Sequence, residues 1–347
     1  MSWYSKIYIY VREFRSRNSI CGFILHLCLN MMLLLQIIVL VCGYYVYTFI
    51  FLPEFIQNPI QATVYCVLFH SFLFMFLWSL AMTIFTPVLK VPKIYYADEE
   101  TDKRLKDCTP KTGDIYYPDH STPEEVAKQI KILESFANAR SLVFVEVDEH
   151  GRLRYCYQCC LLKPDRAHHC SSCGFCVVKF DHHCPWINQC VSFANYKYFL
   201  LYLIYGEVLI CFGFLTQLEA IYSFTREKNK DFLICINFSF VVLSLLLYFV
   251  LAYYHLGELL IYHLKLLLKN ETTCDQVKYP IIRGDSRANY NFGRYFNCRE
   301  VFGWGLWGFP VPTPVTDGMH YRVKYSENYN GDRYEVIKKP LSTKMTK

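Results

Sequence analysis

Four long apolar runs constrain the fold of this chain more than any other feature of its sequence. They lie within residues 20–52, 62–85, 198–224 and 232–256, and the more apolar half of the first run is residues 33–52. A helix that crosses the hydrocarbon core of a bilayer needs about 20 apolar residues. The alternative, a helix buried in a soluble core, is usually shorter and interrupted by charge. The runs therefore predict an all-α integral membrane protein with four transmembrane helices.

The composition agrees with a membrane protein and argues against a nucleic-acid-binding one. Hydrophobic residues make up 53% and charged residues 19% of the chain, whereas soluble domains are nearer to a quarter charged. The net charge of +6 is small, and nucleic-acid binding usually requires a more basic surface. We therefore expect the lipid bilayer as a partner and no nucleic acid.

Basic residues beside the apolar runs indicate the side of the membrane on which each loop lies. Short cytosolic loops are enriched in lysine and arginine. Arg12, Arg15 and Arg17 precede the first run, whereas residues 53–61 between the first two runs contain neither residue type. The loop 225–231 has three basic residues and argues the other way, but lysines after the fourth run restore the pattern. We expect both termini in the cytosol, in an endomembrane (Golgi or endoplasmic reticulum favoured) or the plasma membrane.

The segment 156–190, between the second and third runs, has the spacing of a metal-binding domain. It contains eight of the seventeen cysteines and four histidines. Cysteine pairs separated by two residues occur at Cys156/Cys159, Cys170/Cys173 and Cys173/Cys176. Such a turn lets both sulfurs reach one tetrahedral zinc ion. A disulfide framework is the alternative, but it is typical of short secreted chains. The segment therefore predicts bound zinc.

The run Asp181-His182-His183-Cys184 indicates nucleophilic chemistry beside the metal. Two zinc ions would need eight ligands, and the segment offers four more cysteines and histidines than that. Adjacent side chains diverge, so His182, His183 and Cys184 do not all bind one ion. A free cysteine becomes a nucleophile when an imidazole takes its proton and a carboxylate orients that imidazole. The alternative, in which all of these residues bind zinc or support its ligands, stays open at this point.

At these residues the sequence resembles the DHHC-type protein S-acyltransferases, or palmitoyltransferases. The central match is DHHCPW at 181–186, preceded by KPDRAHHC at 163–170. Residues 270–275, NETTCD, resemble the family's Thr-Thr-x-Glu motif, and residues 297–303, NCREVFG, resemble its C-terminal motif. The stretches YYVY and MTIFT near the first two runs resemble the subgroup related to human types 2, 15 and 20. Together these motifs cover most of residues 30–305.

The resemblance implies a role for each residue of the segment. One structural zinc ion would be bound by Cys156, Cys159, His169 and Cys176, and a second by Cys170, Cys173, His183 and Cys190. Cys184 would then carry the acyl group, with His182 as its base and Asp181 polarising His182. Thr273 would hydrogen-bond near Asp181, and Asn297 would anchor the C-terminal region to the membrane domain.

Acyl-CoA is the expected co-substrate, and its two ends need different surroundings. Its phosphates suit cations, for which we expect Lys163, Arg166 and His168. Its acyl chain suits a tapered cavity between the four helices, with Gly43 and Leu209 as ceiling residues. Each buried methylene contributes about 0.8 kcal/mol, so the depth of the cavity would select the chain length.

Three positions need separate comment. Ser192 stands where the family often has glycine, and Asp275 replaces the glutamate of the Thr-Thr-x-Glu motif. Both changes are expected to alter efficiency rather than the type of reaction. Glu207 lies within the third apolar run, where a carboxylate is costly and often functional. Packing against a polar neighbour would explain Glu207 equally well.

The expected enzyme transfers a palmitoyl group from acyl-CoA, through an acyl-enzyme on Cys184, to membrane-associated proteins with a juxtamembrane cysteine. The alternative is a non-catalytic membrane zinc module that acts as a scaffold. In either case the expected regions are an N-terminal segment with the first two spans at 1–89, a cytosolic linker at 90–153, a zinc domain of short β-hairpins and loops at 154–197, the last two spans at 198–256, a C-terminal cytosolic region at 257–314 and a polar tail at 315–347.

Overall fold

The computed structural model describes residues 30–226, 231–252, 257–313 and 315–326. The helices in this part of the chain are α1 (Met31–Phe55), α2 (Pro59–Phe85), α3 (Glu99–Asp107), α4 (Pro123–Ala139), α5 (Tyr196–Arg226), α6 (Phe232–Val250), α7 (Glu258–Lys269), α8 (Thr273–Val277) and α9 (Arg294–Phe302). Helix α1 includes a π-helical turn at Val46–Phe51.

The four apolar runs form helices of membrane-spanning length, as predicted. These are α1, α2, α5 and α6, with mean hydropathies from 1.9 to 2.5 in their most apolar windows. Residues 20–29 of the first predicted run and 253–256 of the fourth lie outside the described residues, as do Arg12, Arg15, Arg17 and residues 327–347 of the tail.

Polar caps in the sequence determine where several helices begin. The Asn58 side chain accepts hydrogen bonds from the first turn of α2, which starts with Pro59. Asp231 caps α6 through the backbone N–H of Ile234 at 2.8 Å. Thr122 and Glu125 form a reciprocal capping box at the start of α4. Each cap satisfies N–H groups that have no partner within the helix.

The membrane helices pack around aromatic rings and a few buried hydroxyl groups. Tyr47 of α1 is fully buried, and its ring stacks on Phe69 of α2 with centroids 3.9 Å apart. Its hydroxyl lies 3.0 Å from Thr216 Oγ1 of α5. On the outside, Phe232 and Leu243 of α6 are more than half exposed. Apolar side chains on the outer faces suit contact with lipid tails rather than water.

The part of the chain outside the four membrane-length helices contains two-stranded antiparallel sheets. The strands are β1 (Lys111–Thr112), β2 (Ile115–Tyr116), β3 (Glu146–Val147), β4 (Tyr155–Cys156), β5 (Leu161–Leu162), β6 (His168–Cys170), β7 (Phe175–Val177), β8 (Phe180–Cys184), β9 (Gln189–Ser192) and β10 (Ile281–Ile282). Strands β4–β5, β6–β7 and β8–β9 form the three hairpins of the cysteine-rich segment. The prediction of short β-hairpins there is confirmed. Strand β10 pairs with β3 and so joins the C-terminal region to the linker.

The C-terminal region turns back onto the zinc domain after α7. Asn270 ends α7 in the left-handed conformation, with φ of 55°. Thr272 and Asp275 then form a capping box at the start of α8. The Asn297 side chain of α9 donates to the Leu268 carbonyl of α7 at 2.8 Å. These turns bring Thr273 and Asp275 against β8 and the loop before β6.

Candidate active site and metal centres

Two cysteine–histidine clusters form where the hairpins of the zinc domain meet. The first contains Cys156, Cys159, His169 and Cys176, and the second contains Cys170, Cys173, His183 and Cys190. These are the eight residues named as zinc ligands from the resemblance. Within each cluster, all ligand atoms lie within 4.8 Å of one another.

The geometry and donor set of both clusters fit zinc. In the first cluster, Cys159 Sγ lies 3.2 Å from His169 Nδ1. In the second, Cys173 Sγ lies 3.3 Å from Cys190 Sγ. Zinc–sulfur bonds of about 2.3 Å in a tetrahedron place ligand atoms roughly 3.8 Å apart. Three thiolates with one imidazole are a common structural zinc set, and these residues would hold one ion per cluster.

The two ligand sets interleave along the chain because strand residues alternate in direction. Successive side chains of a β-strand point to opposite faces. In β6, His169 therefore joins the first cluster while Cys170 joins the second. In β8, His183 belongs to the second cluster, whereas its neighbours His182 and Cys184 belong to neither cluster. Asp181 and His182 form a separate group with His263, whose possible ligand atoms also lie within 4.8 Å of one another.

The buried Asp181 and the half-buried His182 form a charge-assisted pair. His182 Nδ1 lies 2.6 Å from Asp181 Oδ2. Burial disfavours a charged imidazole, but the hydrogen bonds with Asp181 and Cys184 outweigh it and raise the pKa of His182 to about 9. Burial also acts against the Asp181 carboxylate, yet hydrogen bonding and charge from His182 keep its pKa below the ordinary value. The imidazole is therefore a strong proton acceptor that a carboxylate orients.

Cys184 lies at the boundary between the zinc domain and the membrane helices. Its side chain is buried, with 4% exposure. It belongs to an apolar cluster with Ile187, Val191, Phe199, Tyr202 and Leu203, and Phe76, Leu80 and Ile84 of α2 pack against it. Because α2 ends and α5 begins here, Cys184 lies beside the ends of two membrane-length helices. A thiol in this position can meet an acyl chain that enters from the bilayer.

The C-terminal region contributes directly to the Asp181 carboxylate. Thr273 donates its backbone N–H to Oδ1 at 2.8 Å and its hydroxyl to Oδ2 at 3.0 Å. His263 of α7, which the sequence analysis missed, lies with its Nδ1 4.0 Å from Asp181 Oδ2. Burial lowers the pKa of His263 to about 4, so this ring is neutral. A single histidine in a helix has no sequence signal that would reveal this contact.

The surroundings of Arg166 do not favour the predicted contact with acyl-CoA. Its side chain has no exposed area and forms an ion pair with Asp275 at 2.6 Å. It also donates to the side chain and the carbonyl of Asn270, and its guanidinium lies over the rings of Tyr290 and Tyr321. Planar guanidinium groups suit such buried, multiply bonded positions. Arg166 instead ties the zinc domain to the C-terminal region.

The two departures from the family pattern are accommodated locally. Asp275 reaches Arg166 directly and also accepts the Thr272 backbone N–H at 2.8 Å, so its shorter side chain needs no bridging water. Ser192 donates its backbone N–H to Asn195 Oδ1 at 2.9 Å. Ser192 has no positive φ, so this turn does not require glycine.

The other predicted acyl-CoA residues have different surroundings. His168 is largely buried, and burial together with the nearby Arg154 and Lys163 lowers its pKa to about 3. It is therefore uncharged and does not supply a cation for phosphate. Lys163 is only partly buried.

The predicted ceiling residues lie deep in the helix bundle. Leu209 of α5 is buried in the aromatic core of the bundle. Gly43 of α1 faces Tyr248 of α6, and a Cβ at Gly43 would lie 3.2 Å from the Tyr248 hydroxyl oxygen. A Cβ at Gly213 of α5 would lie 3.0 Å from the same ring. Two glycines thus make room for Tyr248, a residue that the sequence analysis did not single out.

Comparison with known proteins agrees with this site. Residues 149–280 match the family model for the DHHC palmitoyltransferase. The chain is 46% identical to palmitoyltransferase spe-10 of Caenorhabditis elegans, over 99% of this chain and 98% of that protein. It is 31% identical to palmitoyltransferase ZDHHC2 of Danio rerio, over 80% and 72% of the two chains. It is 33% identical to palmitoyltransferase ZDHHC20 of Homo sapiens, over 76% and 67%. The chain therefore belongs to the DHHC palmitoyltransferase family and is a protein-cysteine S-palmitoyltransferase related to types 2, 15 and 20.

Proposed function

We propose that Cys184 is the nucleophile that takes a palmitoyl group from acyl-CoA and passes it to a cysteine of another protein. One observation carries this proposal. The Cys184 thiol lies on β8 with Asp181 and His182, outside both metal clusters and buried among side chains of the membrane helices. Nucleophile, base and orienting carboxylate are thus adjacent, as in other acyl-transfer enzymes.

In the first step His182 takes the proton of Cys184, and the thiolate attacks the carbonyl carbon of acyl-CoA. A carbon–sulfur bond forms to Cys184, and the bond to the CoA sulfur then breaks. The CoA thiolate leaves with the proton held by His182. Asp181 keeps the imidazole oriented through the 2.6 Å hydrogen bond.

In the second step the cysteine of the protein substrate attacks the acyl-enzyme. His182 accepts the proton of the incoming thiol and returns it to Cys184 as the acyl group departs. One thioester is exchanged for another, so the bond energies nearly balance. The enzyme mainly has to activate the thiols and position the reactants. This order predicts ping-pong kinetics with a free acyl-enzyme.

The acyl chain would extend from Cys184 between the membrane helices towards Gly43, Leu209 and Tyr248. Along α5, the eleven steps from Tyr202 beside Cys184 to Gly213 beside Tyr248 span about 16 Å. An extended chain advances roughly 1.2 Å per covalent bond, as a polypeptide backbone does. This distance corresponds to about 13 bonds, roughly two bonds fewer than a fully extended palmitoyl chain has. The CoA head would lie on the cytosolic side, where Lys163 is our remaining candidate for a phosphate contact.

The two zinc ions would act as structural cross-links. Each would join cysteines of one hairpin to ligands of another, and so fix β8, which carries Asp181, His182 and Cys184. Structural zinc sites of this kind contribute directly to folding. No step of the proposed reaction passes through either ion.

The proposed topology has both termini in the cytosol, and the protein would reside in an endomembrane or the plasma membrane. The zinc domain then faces the cytosol, where acyl-CoA is available. A thiol at the membrane boundary favours substrate proteins whose cysteine lies beside a membrane. The attached chain would increase the membrane affinity of these proteins by about 0.8 kcal/mol per buried methylene.

The test compares purified wild-type protein with Cys184→Ser, using an alkyne analogue of palmitoyl-CoA. Wild type should acquire a label that hydroxylamine removes, and Cys184→Ser should not, with zinc content unchanged. Cys160→Ser is the matched control, because Cys160 lies in the same domain but outside both clusters and should label normally. Equal labelling of wild type and Cys184→Ser would refute the assignment. A wild-type protein that never labels would favour the scaffold alternative.

A further inference from the structure

A glutamine and a tyrosine on two different membrane helices meet beside Cys184. Gln36 of α1 donates from Nε2 to the Tyr202 hydroxyl oxygen of α5 at 3.0 Å. Tyr202 is 6% exposed and belongs to the apolar cluster that encloses Cys184. The Tyr202 side chain also interacts electrostatically with the Cys184 sulfur. The reaction described above assigns no role to either Gln36 or Tyr202.

The direction of this hydrogen bond leaves the hydroxyl hydrogen of Tyr202 available to another acceptor. A phenol has one hydrogen to donate and accepts through its oxygen. The aromatic rings of Phe76 and Phe199, 5.3 Å and 6.4 Å from the Tyr202 ring, offer no polar acceptor. Buried polar groups left without partners are uncommon in native proteins and require an explanation.

The proposed reaction supplies an acceptor at this place. When Cys184 attacks the thioester, negative charge develops on the carbonyl oxygen within an apolar cluster. Preorganised donors stabilise such an oxyanion strongly, because little water competes for it. We propose that the Tyr202 hydroxyl donates a hydrogen bond to this oxygen and that Gln36 orients and polarises the hydroxyl. This inference rests on the proposed role of Cys184, and it adds one catalytic residue and one positioning residue.

The step balances without any further reactant. The Cys184 thiolate donates an electron pair to the carbonyl carbon, and the carbonyl π electrons move onto the oxygen, which accepts the Tyr202 hydrogen bond. When the carbonyl re-forms, the bond to the CoA sulfur breaks and CoA leaves as a thiol with the proton from His182. Tyr202 keeps its hydrogen throughout. The same contact would serve the second transfer, in which negative charge again develops on the same carbonyl oxygen.

A structural role for the pair makes a different prediction. Polar side chains often hold membrane helices together, and Gln36 with Tyr202 links α1 to α5. If the pair were only a link, removing either partner would have the same effect. If Tyr202 stabilises the oxyanion, Tyr202→Phe should slow acylation much more than Gln36→Leu, because Gln36→Leu keeps the hydroxyl.

The first experiment measures single-turnover acylation of Cys184 by saturating palmitoyl-CoA. We expect Tyr202→Phe to reduce the rate about 100-fold, in the range found when one oxyanion donor is removed, and Gln36→Leu to reduce it less than tenfold. Tyr205→Phe is the matched control, since the Tyr205 hydroxyl on the same helix donates to the Gly308 carbonyl. It should acylate at the wild-type rate. Zinc content and melting temperature are measured for every variant.

The second experiment records the infrared carbonyl band of the acyl-enzyme made with carbonyl-¹³C palmitoyl-CoA. A hydrogen bond from Tyr202 should shift the band to lower wavenumber in wild type and Gln36→Leu, and Tyr202→Phe should lose the shift. Equal rate losses in Tyr202→Phe and Gln36→Leu, or the same band position in wild type and Tyr202→Phe, would overturn the proposal. These outcomes presuppose that wild type acylates Cys184, so failure of the proposed function itself would be seen first and separately.

Discussion

Replacing Thr273 with valine tests whether the C-terminal region supports catalysis through Asp181. Valine keeps the shape of threonine and removes only the hydroxyl, which donates to Asp181 Oδ2 at 3.0 Å. A hydrogen bond to a charged group is worth about 1.5–3 kcal/mol, which corresponds to roughly 10–150-fold in rate. The backbone N–H of Thr273 and His182 still donate to the carboxylate. The rate of acylation should therefore fall by about tenfold, at the lower end of this range.

The assay is single-turnover acylation of Cys184 at saturating palmitoyl-CoA, with zinc content as a check on folding. Thr273→Ser is the matched control, because serine keeps the donor and should retain most of the rate. A Thr273→Val enzyme that acylates as fast as wild type would refute the reasoning. So would a Thr273→Ser enzyme as slow as Thr273→Val, since the loss would then not come from the hydroxyl.

Three further outcomes are expected. Arg166→Ala should lower the free energy of unfolding by about 3–5 kcal/mol, because it leaves a buried carboxylate unpaired, and Asp275→Glu should cost less. Thermal unfolding in detergent checks both, and an unchanged melting temperature of Arg166→Ala would contradict the result. Removing zinc with a strong chelator should abolish acylation and release two ions per chain, as measured by atomic absorption. Gly43→Leu should crowd Tyr248 and favour myristoyl over palmitoyl-CoA by roughly 15-fold, from two methylenes at about 0.8 kcal/mol each, and an unchanged chain-length profile would count against the ceiling role.

The helices and hairpins were predictable because they depend on local sequence. Runs of apolar residues long enough for a bilayer leave few alternatives to helix, and α2 begins at the Asn58–Pro59 cap that the sequence itself provides. Spacing in the cysteine segment likewise predicted a metal-binding domain. The spacing did not indicate which residues of β8 lie outside the metal clusters, because that depends on which face of the strand each side chain occupies.

Contacts between distant residues were the part that the sequence did not reveal. Arg166 looked like a phosphate ligand because a cation beside a catalytic motif commonly has that role. Its ion pair with Asp275 joins residues 109 positions apart, and no local pattern encodes such a pairing. His263 and the Gln36–Tyr202 pair were missed for the same reason. Each of these three residues is an isolated polar side chain in its own helix, and its role depends on a partner from another helix or strand.

The burial of Asn270 has a consequence for mapping the topology of this protein. Residues 270–272, Asn-Glu-Thr, match the acceptor pattern for N-linked glycosylation. In the fold, however, the Asn270 amide nitrogen donates to the Tyr290 carbonyl at 3.0 Å and to Glu300 Oε2 at 2.9 Å. No sugar can be attached to that nitrogen without dismantling the end of α7. A glycan at this tripeptide would therefore mark chains modified before folding, and acceptor sites engineered into exposed loops are the better reporters of membrane orientation.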